Sequence, residues 1–305
     1  MLEARKLPLE RGLAWFLQAV NVGRRNPRTV LGAAALLILT LYVITFLLLL
    51  PVAWQGVGSD GLPMLGVSSL IAIFATLMCI LPVLLGGLIH VVRESEEGRE
   101  VGVRDLFVPF RNGSFLKLFT LGLVQLGLNA LAAAAVALLA GPDYWSQYFA
   151  VLQQAMSGTI SVAPQPQHPY LMFIVQTLFN YVSAAILMFS IPSLMFLRVS
   201  VSEAVKMSLN AAIRNVVPNL GAAALFLLGV VVATVVASVI GLIAATLGSL
   251  VHPAIGVAIL ALVYLCFGST ILLVLAGCAL AAWRDTFGIN GEANDPPAPP
   301  GSFAA

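Results

Sequence analysis

Six long apolar runs divide this chain, and polar segments of two kinds separate them. The runs lie near Val30–Trp54, Val67–Val92, Leu118–Ala140, Leu171–Leu197, Leu220–Leu247 and Ala254–Trp283. A membrane-spanning helix needs about 20 apolar residues at 1.5 Å each, and every run meets that length. The first is too long, and begins too far from Met1, for a cleavable leader, so it reads as a retained span. Before each odd-numbered run stands a short amphipathic segment. Leu9, Leu13, Phe16 and Val20 share one helical face; so do Val103, Leu106, Phe107 and Phe110, and again Val201, Val205, Leu209 and Ile213. Such segments are expected to lie as helices at a membrane surface; packing on loops above the bilayer is the alternative. The stretch "SVSE", Ser200 to Glu203, supplies a capping box for the third.

Each amphipathic segment ends in an Arg-Asn pair: Arg25–Asn26, Arg111–Asn112 and Arg214–Asn215. From Arg25 the chain reads "RNPRTVLGAAALLILT", and from Arg214 it reads "RNVVPNLGAAALFLLG"; nine of these sixteen positions are identical. Asn suits the turn from a surface helix into a spanning one, and can cap the new helix. Arg can reach the lipid phosphates and fix the depth of the corner. Pro27 and Pro218 fit the first turn of the following helix. A lipid head-group site at each Arg is the functional alternative. The repeating unit is an interfacial helix, an Arg-Asn corner, a span out, a loop and a span back. The units run about 7–93, 99–198 and 200–284 and make one domain, 1–286, with a disordered tail at 287–305 expected beyond it. The three-fold match is weaker than the two-fold one, because span 6 has Gly268 where spans 2 and 4 carry Pro82 and Pro192, and the middle corner lacks the Gly-Ala run. Those two prolines are expected to kink their helices.

Composition fixes the solvent. Of 305 residues, 60% are hydrophobic and 9% charged, against roughly 25% charged in a soluble domain. The placement of cations then orients the chain. Arg5, Lys6, Arg11, Arg24, Arg25 and Arg28 precede span 1; Arg93, Arg99, Arg104, Arg111 and Lys117 follow span 2; Arg198, Lys206 and Arg214 follow span 4; Arg284 follows span 6. These are all 15 Lys and Arg residues, and the connections Gln55–Gly66, Gly141–Tyr170 and Gly248–Pro253 hold none. Lys and Arg mark the cytoplasmic side. The expected fold is all-α: six transmembrane helices as three parallel hairpins, each preceded by a cytoplasmic interfacial helix, with both termini inside.

Candidate chemistry is sparse. The sequence has no HExxH, no GxSxG, no phosphate-binding glycine loop and no cysteine cluster. Cys79, Cys266 and Cys278 read as buried free thiols, and no metal, haem or other cofactor is expected. No Asp or Glu lies within a span, which argues against an ion-coupled pump. Polar side chains inside spans 3 and 4 stand as two i, i+4 pairs, Gln125 with Asn129 and Gln176 with Asn180. Interhelical hydrogen bonds, or a polar lining for a small solute or head group, would use them. Span 5 carries a ridge of small residues, Gly221, Gly229, Ala233, Ala237, Gly241, Ala245 and Ser249, suited to close helix packing within the chain or to a homodimer. Trp145, Tyr148, Phe149 and Leu152 give the outer loop an apolar face.

The stretches "LPLERGLAWFLQAVNVGRRNP", "REVGVRDLFVPFRN" and "VSVSEAVKMSLNAAIRN" resemble an uncharacterised family of proteobacterial six-span inner-membrane proteins. That family is loosely similar to YciC-type proteins and to the membrane domain attached to some glycerophosphodiester phosphodiesterases. The resemblance covers about Leu7 to Arg284 and implies an inner-membrane setting and a six-span fold. No phosphodiesterase domain follows here, so that activity is not expected, and the resemblance brings no catalytic residue. Two functions are expected in order: a non-enzymatic accessory or scaffold protein in envelope homeostasis, then a passive conduit or flippase-like carrier for a lipid or small amphiphile. Expected partners are membrane lipids and another membrane protein or a second copy of the chain, and no nucleic acid.

Overall fold

The computed structural model describes residues 3–54, 64–156, 162, 164–197 and 199–289. The expected disordered tail from residue 290 onward, most of the 55–66 connection and Arg198 lie outside the described residues. Within them the chain is helical: α1 (Glu10–Val20), α2 (Pro27–Trp54), α3 (Met64–Glu96), a 3-10 turn (Val103–Phe107), α4 (Val108–Arg111), α5 (Phe115–Ala140), α6 (Tyr144–Met156), α7 (Pro169–Phe196), α8 (Val201–Arg214), α9 (Val216–Ser249) and α10 (Pro253–Phe287). Six of these, α2, α3, α5, α7, α9 and α10, are long and apolar enough to cross a membrane. The protein is an integral membrane protein by that criterion.

Helix α10 runs through Phe287. Phe287 is 4% exposed, and Ile289 packs against the core. Gly288 takes a left-handed backbone, φ 66°, that stops α10 and turns the chain back onto it. The second amphipathic segment departs from a regular helix. Pro109 has no N–H to give to Asp105, and the backbone N–H of Val108 bonds the Asp105 carbonyl instead, so a 3-10 turn precedes the single turn of α4. This turn lies hard against α3. A Cβ on Gly87 would stand 1.7 Å from the Leu106 carbonyl oxygen, so only glycine admits the crossing. Pro82 and Pro192 both sit inside continuous helices.

The short amphipathic elements follow one packing rule. The 3-10 turn rests on α3 and α2, and α8 rests on α7 and α5. Each therefore sits on spanning helices that come before it. The first element, α1, has none before it and rests on the last two, α10 and α9. Gly12, Trp15 and Ala19 of α1 face inward, while Leu9, Leu13 and Val20 are 57%, 48% and 56% exposed. The face picked out by sequence periodicity is thus largely outward, with Phe16 at its edge set against Gly229, and a separate narrow stripe of small residues and Trp15 meets protein.

The interior is concentrated at the end where α3, α7 and α10 finish. These three helices touch one another. Phe189, Ile191, Leu194, Leu280 and Trp283 are all at most 2% exposed. The indole N–H of Trp283 donates to Ser193 Oγ at 2.9 Å, and that of Trp15 donates to Asp285 Oδ2 at 2.8 Å. Truncating a buried Trp of this kind costs about 3–5 kcal/mol. The other halves of the spans are looser, with Leu138 84%, Phe173 73% and Leu242 69% exposed. Apolar exposure on a spanning helix is what lipid solvates.

Candidate functional site

The polar side chains of α5 and α7 are arranged along the line where these two helices pack. Gln125 is 2% exposed. Its Nε2 donates to the Ser183 carbonyl at 3.0 Å, and its Oε1 accepts from the Ser183 hydroxyl at 2.5 Å. Gln125 lies about 15 Å along α5 from its start, deep within a bilayer-sized helix. Asn129 turns back on its own helix and donates to the Gln125 carbonyl at 2.8 Å. Gln176 and Asn180 bond each other, Nε2 to Oδ1 at 3.0 Å, and both are exposed. The structure therefore ties α5 to α7 through Gln125 and Ser183, and joins neither amide of α5 to the amide pair of α7 by a hydrogen bond among the described residues. Positions 176, 180 and 183 share one face of α7 at i, i+4, i+7, so the exposed pair continues the same polar stripe beyond the buried bond.

Ser183 was not singled out by sequence pattern, although the signal exists. Ser183, Ser190 and Ser193 recur along one broad face of α7. Ser190 shares a hydrogen bond of 2.7 Å with Ser208 of α8, and Ser193 holds Trp283. Nearby, the Tyr181 hydroxyl donates to the Ala212 carbonyl at 2.8 Å and accepts from Asn219 Nδ2 at 3.4 Å.

The three Arg-Asn corners are built differently. At the third, Asn215 is fully buried. Its Oδ1 accepts from the backbone N–H of Leu7 at 2.8 Å, its Nδ2 donates to the Arg5 carbonyl at 2.9 Å, and Arg214 Nη1 donates to the Ala4 carbonyl at 2.8 Å. The backbone N–H of Arg5 in turn donates to the Thr286 carbonyl at 2.8 Å. Asn215 thus splices the N-terminal segment into the corner rather than capping α9, where it makes no side-chain cap bond. At the second corner Asn112 Oδ1 accepts from the Ser114 backbone N–H at 3.0 Å, a local turn completed by Gly113 at φ 78°. Phe107, Phe110, Phe115 and Phe119 line up beside it with successive ring centroids 6.1, 5.1 and 5.7 Å apart. At the first corner Gly23 turns the chain at φ 83°, and Arg25 Nη1 donates to the Glu96 carbonyl, the last residue of α3, at 2.8 Å. The side chain of Asn26 makes no hydrogen bond among the described residues.

A charged knot joins these corners. Arg284 Nη1 meets Glu96 Oε2 at 2.8 Å, Arg93 meets Glu97 at 2.8 Å, and Arg99 engages both Glu94 and Glu97. Burial works against the charge of Glu97, but the hydrogen bond from Arg93 and the charges of Arg93, Arg99 and Arg284 outweigh it and hold its carboxyl below the ordinary value. Lys117 Nζ, at the start of α5, donates to the Val199 carbonyl just past α7 at 3.1 Å. Starts of α2, α5 and α9 and ends of α3, α7 and α10 are thus linked at one end of the bundle.

The ridge of α9 is occupied within the chain. A Cβ on Gly229 would meet Phe16 of α1 at 3.3 Å, and one on Gly241 would meet Leu260 of α10 at 3.0 Å. Ala237 and Gly241 are buried, and Ala233 and Ala245 are half-buried. Cys79 and Cys278 are buried free thiols, but Cys266 is exposed, contrary to expectation, because it lies on a face of α10 that no other helix covers. Trp145, Tyr148 and Phe149 of α6 pack on one another, with centroids 5.9–6.4 Å apart; the side chain of Leu152 lies outside the described residues. Among the described residues no three His, Cys, Asp or Glu side chains gather where a metal ion would sit. No protein-family model, characterised protein or solved structure matches the chain.

Proposed function

We propose that this chain is an accessory or scaffold protein of the bacterial inner membrane that acts by binding rather than catalysis, in envelope homeostasis. Its six spans would form three parallel hairpins with both termini cytoplasmic. The confinement of all fifteen cations to alternate connections supports that orientation, and the common packing rule of α1, the 3-10 turn and α8 supports the three-fold repeat. The observation that carries the role is the exposed Gln176–Asn180 pair. Roughly 24 Å of helix separates Asn180 from the end of α7 and roughly 30 Å separates Gln176 from it, a depth that fits the far part of a hydrocarbon layer about 30 Å thick. One hydrogen bond joins the two amides, and their remaining donors and acceptors face outward where lipid offers no partner. A polar side chain on a partner's spanning helix would satisfy them, at about 0.6–2 kcal/mol per bond.

Replacing both residues by Leu tests this directly. The expected outcome is a chain that inserts and melts as wild type but loses the larger assembly in which wild type is extracted by gentle detergent. A wild type that is solitary under those conditions, in cells whose envelope tolerates deletion of the gene, overturns the reading. Movement of labelled lipid through vesicles holding the pure protein would favour the carrier instead. Orientation is tested by cysteine labelling on a cysteine-free background. Positions in 55–66 and 141–170 should react from outside, and positions in 93–117 and 198–215 should not.

A further inference from the structure

The first corner borders an open pocket of about 220 Å³ lined by Asn21, Gly23, Arg24, Arg25, Ser95 and Glu96. Ser95 is 3% exposed, and its hydroxyl has no hydrogen-bond partner among the described residues. A buried hydroxyl without a partner is unfavourable, and this one belongs to a residue that lines the cavity. The rim is cationic. Arg24 is exposed and makes no hydrogen bond or ion pair among the described residues, and Arg25 uses Nη1 on the Glu96 carbonyl. The carboxylate of Glu96 is paired with Arg284 at 2.8 Å and also feels the charge of Arg25, so the two rim arginines leave the pocket net positive.

We propose that this cavity binds a phosphate group, that of an anionic lipid head group, with the Ser95 hydroxyl donating from the floor and Arg24 and Arg25 closing over it from the rim. The corner is where a surface helix turns into a span, the depth at which lipid phosphates lie. The third corner offers no such site, since Arg214 and Asn215 are held by the carbonyls of Ala4 and Arg5. The site is independent of the amide pair on α7, and the Gln176→Leu/Asn180→Leu variant should bind lipid as wild type does, so the two readings fail separately.

The test uses the full-length protein in neutral detergent, with thermal shift and native mass spectrometry as readouts. The probes are short-chain phosphatidylglycerol, short-chain phosphatidylcholine and inorganic phosphate. Phosphatidylglycerol should bind saturably and raise the melting temperature, and phosphatidylcholine should bind more weakly because its choline cation faces the arginines. Arg24→Gln should weaken binding about tenfold, the loss expected for one charge-assisted bond. Ser95→Ala should weaken it by a smaller factor. Arg111→Gln removes an equal charge at the second corner and should leave binding unchanged. A saturable shift by inorganic phosphate alone, sensitive to Arg24→Gln, keeps the phosphate site and assigns it to free phosphate instead of lipid. Equal losses in Arg24→Gln and Arg111→Gln would reduce the effect to general surface charge and overturn the site. So would unaltered affinity in Arg24→Gln, a variant at an exposed position that leaves the fold intact.

Discussion

Arg214–Asn215 is closed by the chain's own N-terminal segment, whereas the same pair at Arg25–Asn26 borders a cavity. Both pairs turn a surface helix into a span, and both are followed by the same Leu-Gly-Ala-Ala-Ala-Leu string. The difference comes from what lies beside them. The third corner receives residues 4–7, which Asn215 and Arg214 bind through three hydrogen bonds. The first corner receives only the end of α3, through one bond from Arg25. A repeated motif therefore guarantees the turn of the chain and leaves the use of its polar groups to the neighbours. One copy became a splice that fastens the N-terminus to the end of α10, and the other was left with a buried unpartnered hydroxyl and an unpaired Arg24.

The largest effect that can break this contrast is at the asparagines. Asn215→Ala leaves the part-buried N–H of Leu7 and carbonyl of Arg5 without their protein partner, at about 1 kcal/mol each. Thermal unfolding in detergent should shift down by several degrees, with early release of the N-terminal segment to protease. Asn26→Ala removes no side-chain bond and should stay within about 0.5 kcal/mol of wild type. Equal effects at the two sites would mean that the corners are equivalent after all.

Next in size is the seat of α1. A Cβ on Gly12 would stand 2.4 Å from the Pro218 carbonyl and 3.0 Å from the Ala222 nitrogen, both backbone atoms of α9 that cannot swing aside. Gly12→Ala should therefore cost about 1–3 kcal/mol as overpacking. Gly127, with nothing within 4 Å of an added Cβ, is the control, and Gly127→Ala should be neutral or slightly stabilising because alanine favours a helix. A Gly12→Ala protein that melts with wild type would show that α1 does not press on the start of α9. The arginines rank below this. Arg214→Ala loses a partly buried bond to the Ala4 carbonyl and should cost about 1 kcal/mol; Arg25→Ala loses an exposed one and should cost less. Each also gives up about 1 kcal/mol of attraction to an anionic leaflet, so single replacements should be tolerated and replacement of Arg25, Arg111 and Arg214 together should impair insertion.

Local and one-dimensional features were legible before the structure. The spans are readable because lipid demands an uninterrupted apolar length, and the Ser200–Glu203 box is readable because its partners are three residues apart. The corner at Asn215 was not, because its partners at Arg5 and Leu7 lie 210 and 208 residues away and belong to a segment with no marked pattern of its own. The glycines at 12 and 87 were equally silent. Each matters through one backbone crossing, and nothing in the neighbouring sequence announces which helix will cross there. The amide pairs were visible as polar residues in apolar runs, but the choice of Ser183 over Asn180 as the partner of Gln125 depends on the register of α5 against α7. Ser95 was invisible for the opposite reason, since its interest lies in a bond it does not make.

The smallest predicted effect concerns how the helices leading into the two corners begin. Helix α8 starts at a complete box: Glu203 N–H donates to Ser200 Oγ at 3.3 Å, and the Glu203 carboxylate accepts from the Ser200 backbone N–H at 3.0 Å. Helix α1 starts at Leu9 with no side-chain cap. The backbone and side-chain hydrogen bonds from Ser200 hold the Glu203 carboxyl below its ordinary value of 4.5. A depressed folded value means that the carboxylate's contribution is complete above about pH 4.5 and is lost as pH falls through the depressed value. Glu203→Gln keeps the geometry of the box without the titration. Wild type should therefore melt slightly above Glu203→Gln at pH 7, and the gap should close as pH falls below about 4.5. The knot around Glu94, Glu96 and Glu97 titrates in both proteins and cancels in the comparison. A gap that stays constant with pH would show that the charge on Glu203 is not what the box uses, and that the third corner's helix is held at its far end alone, by Asn215.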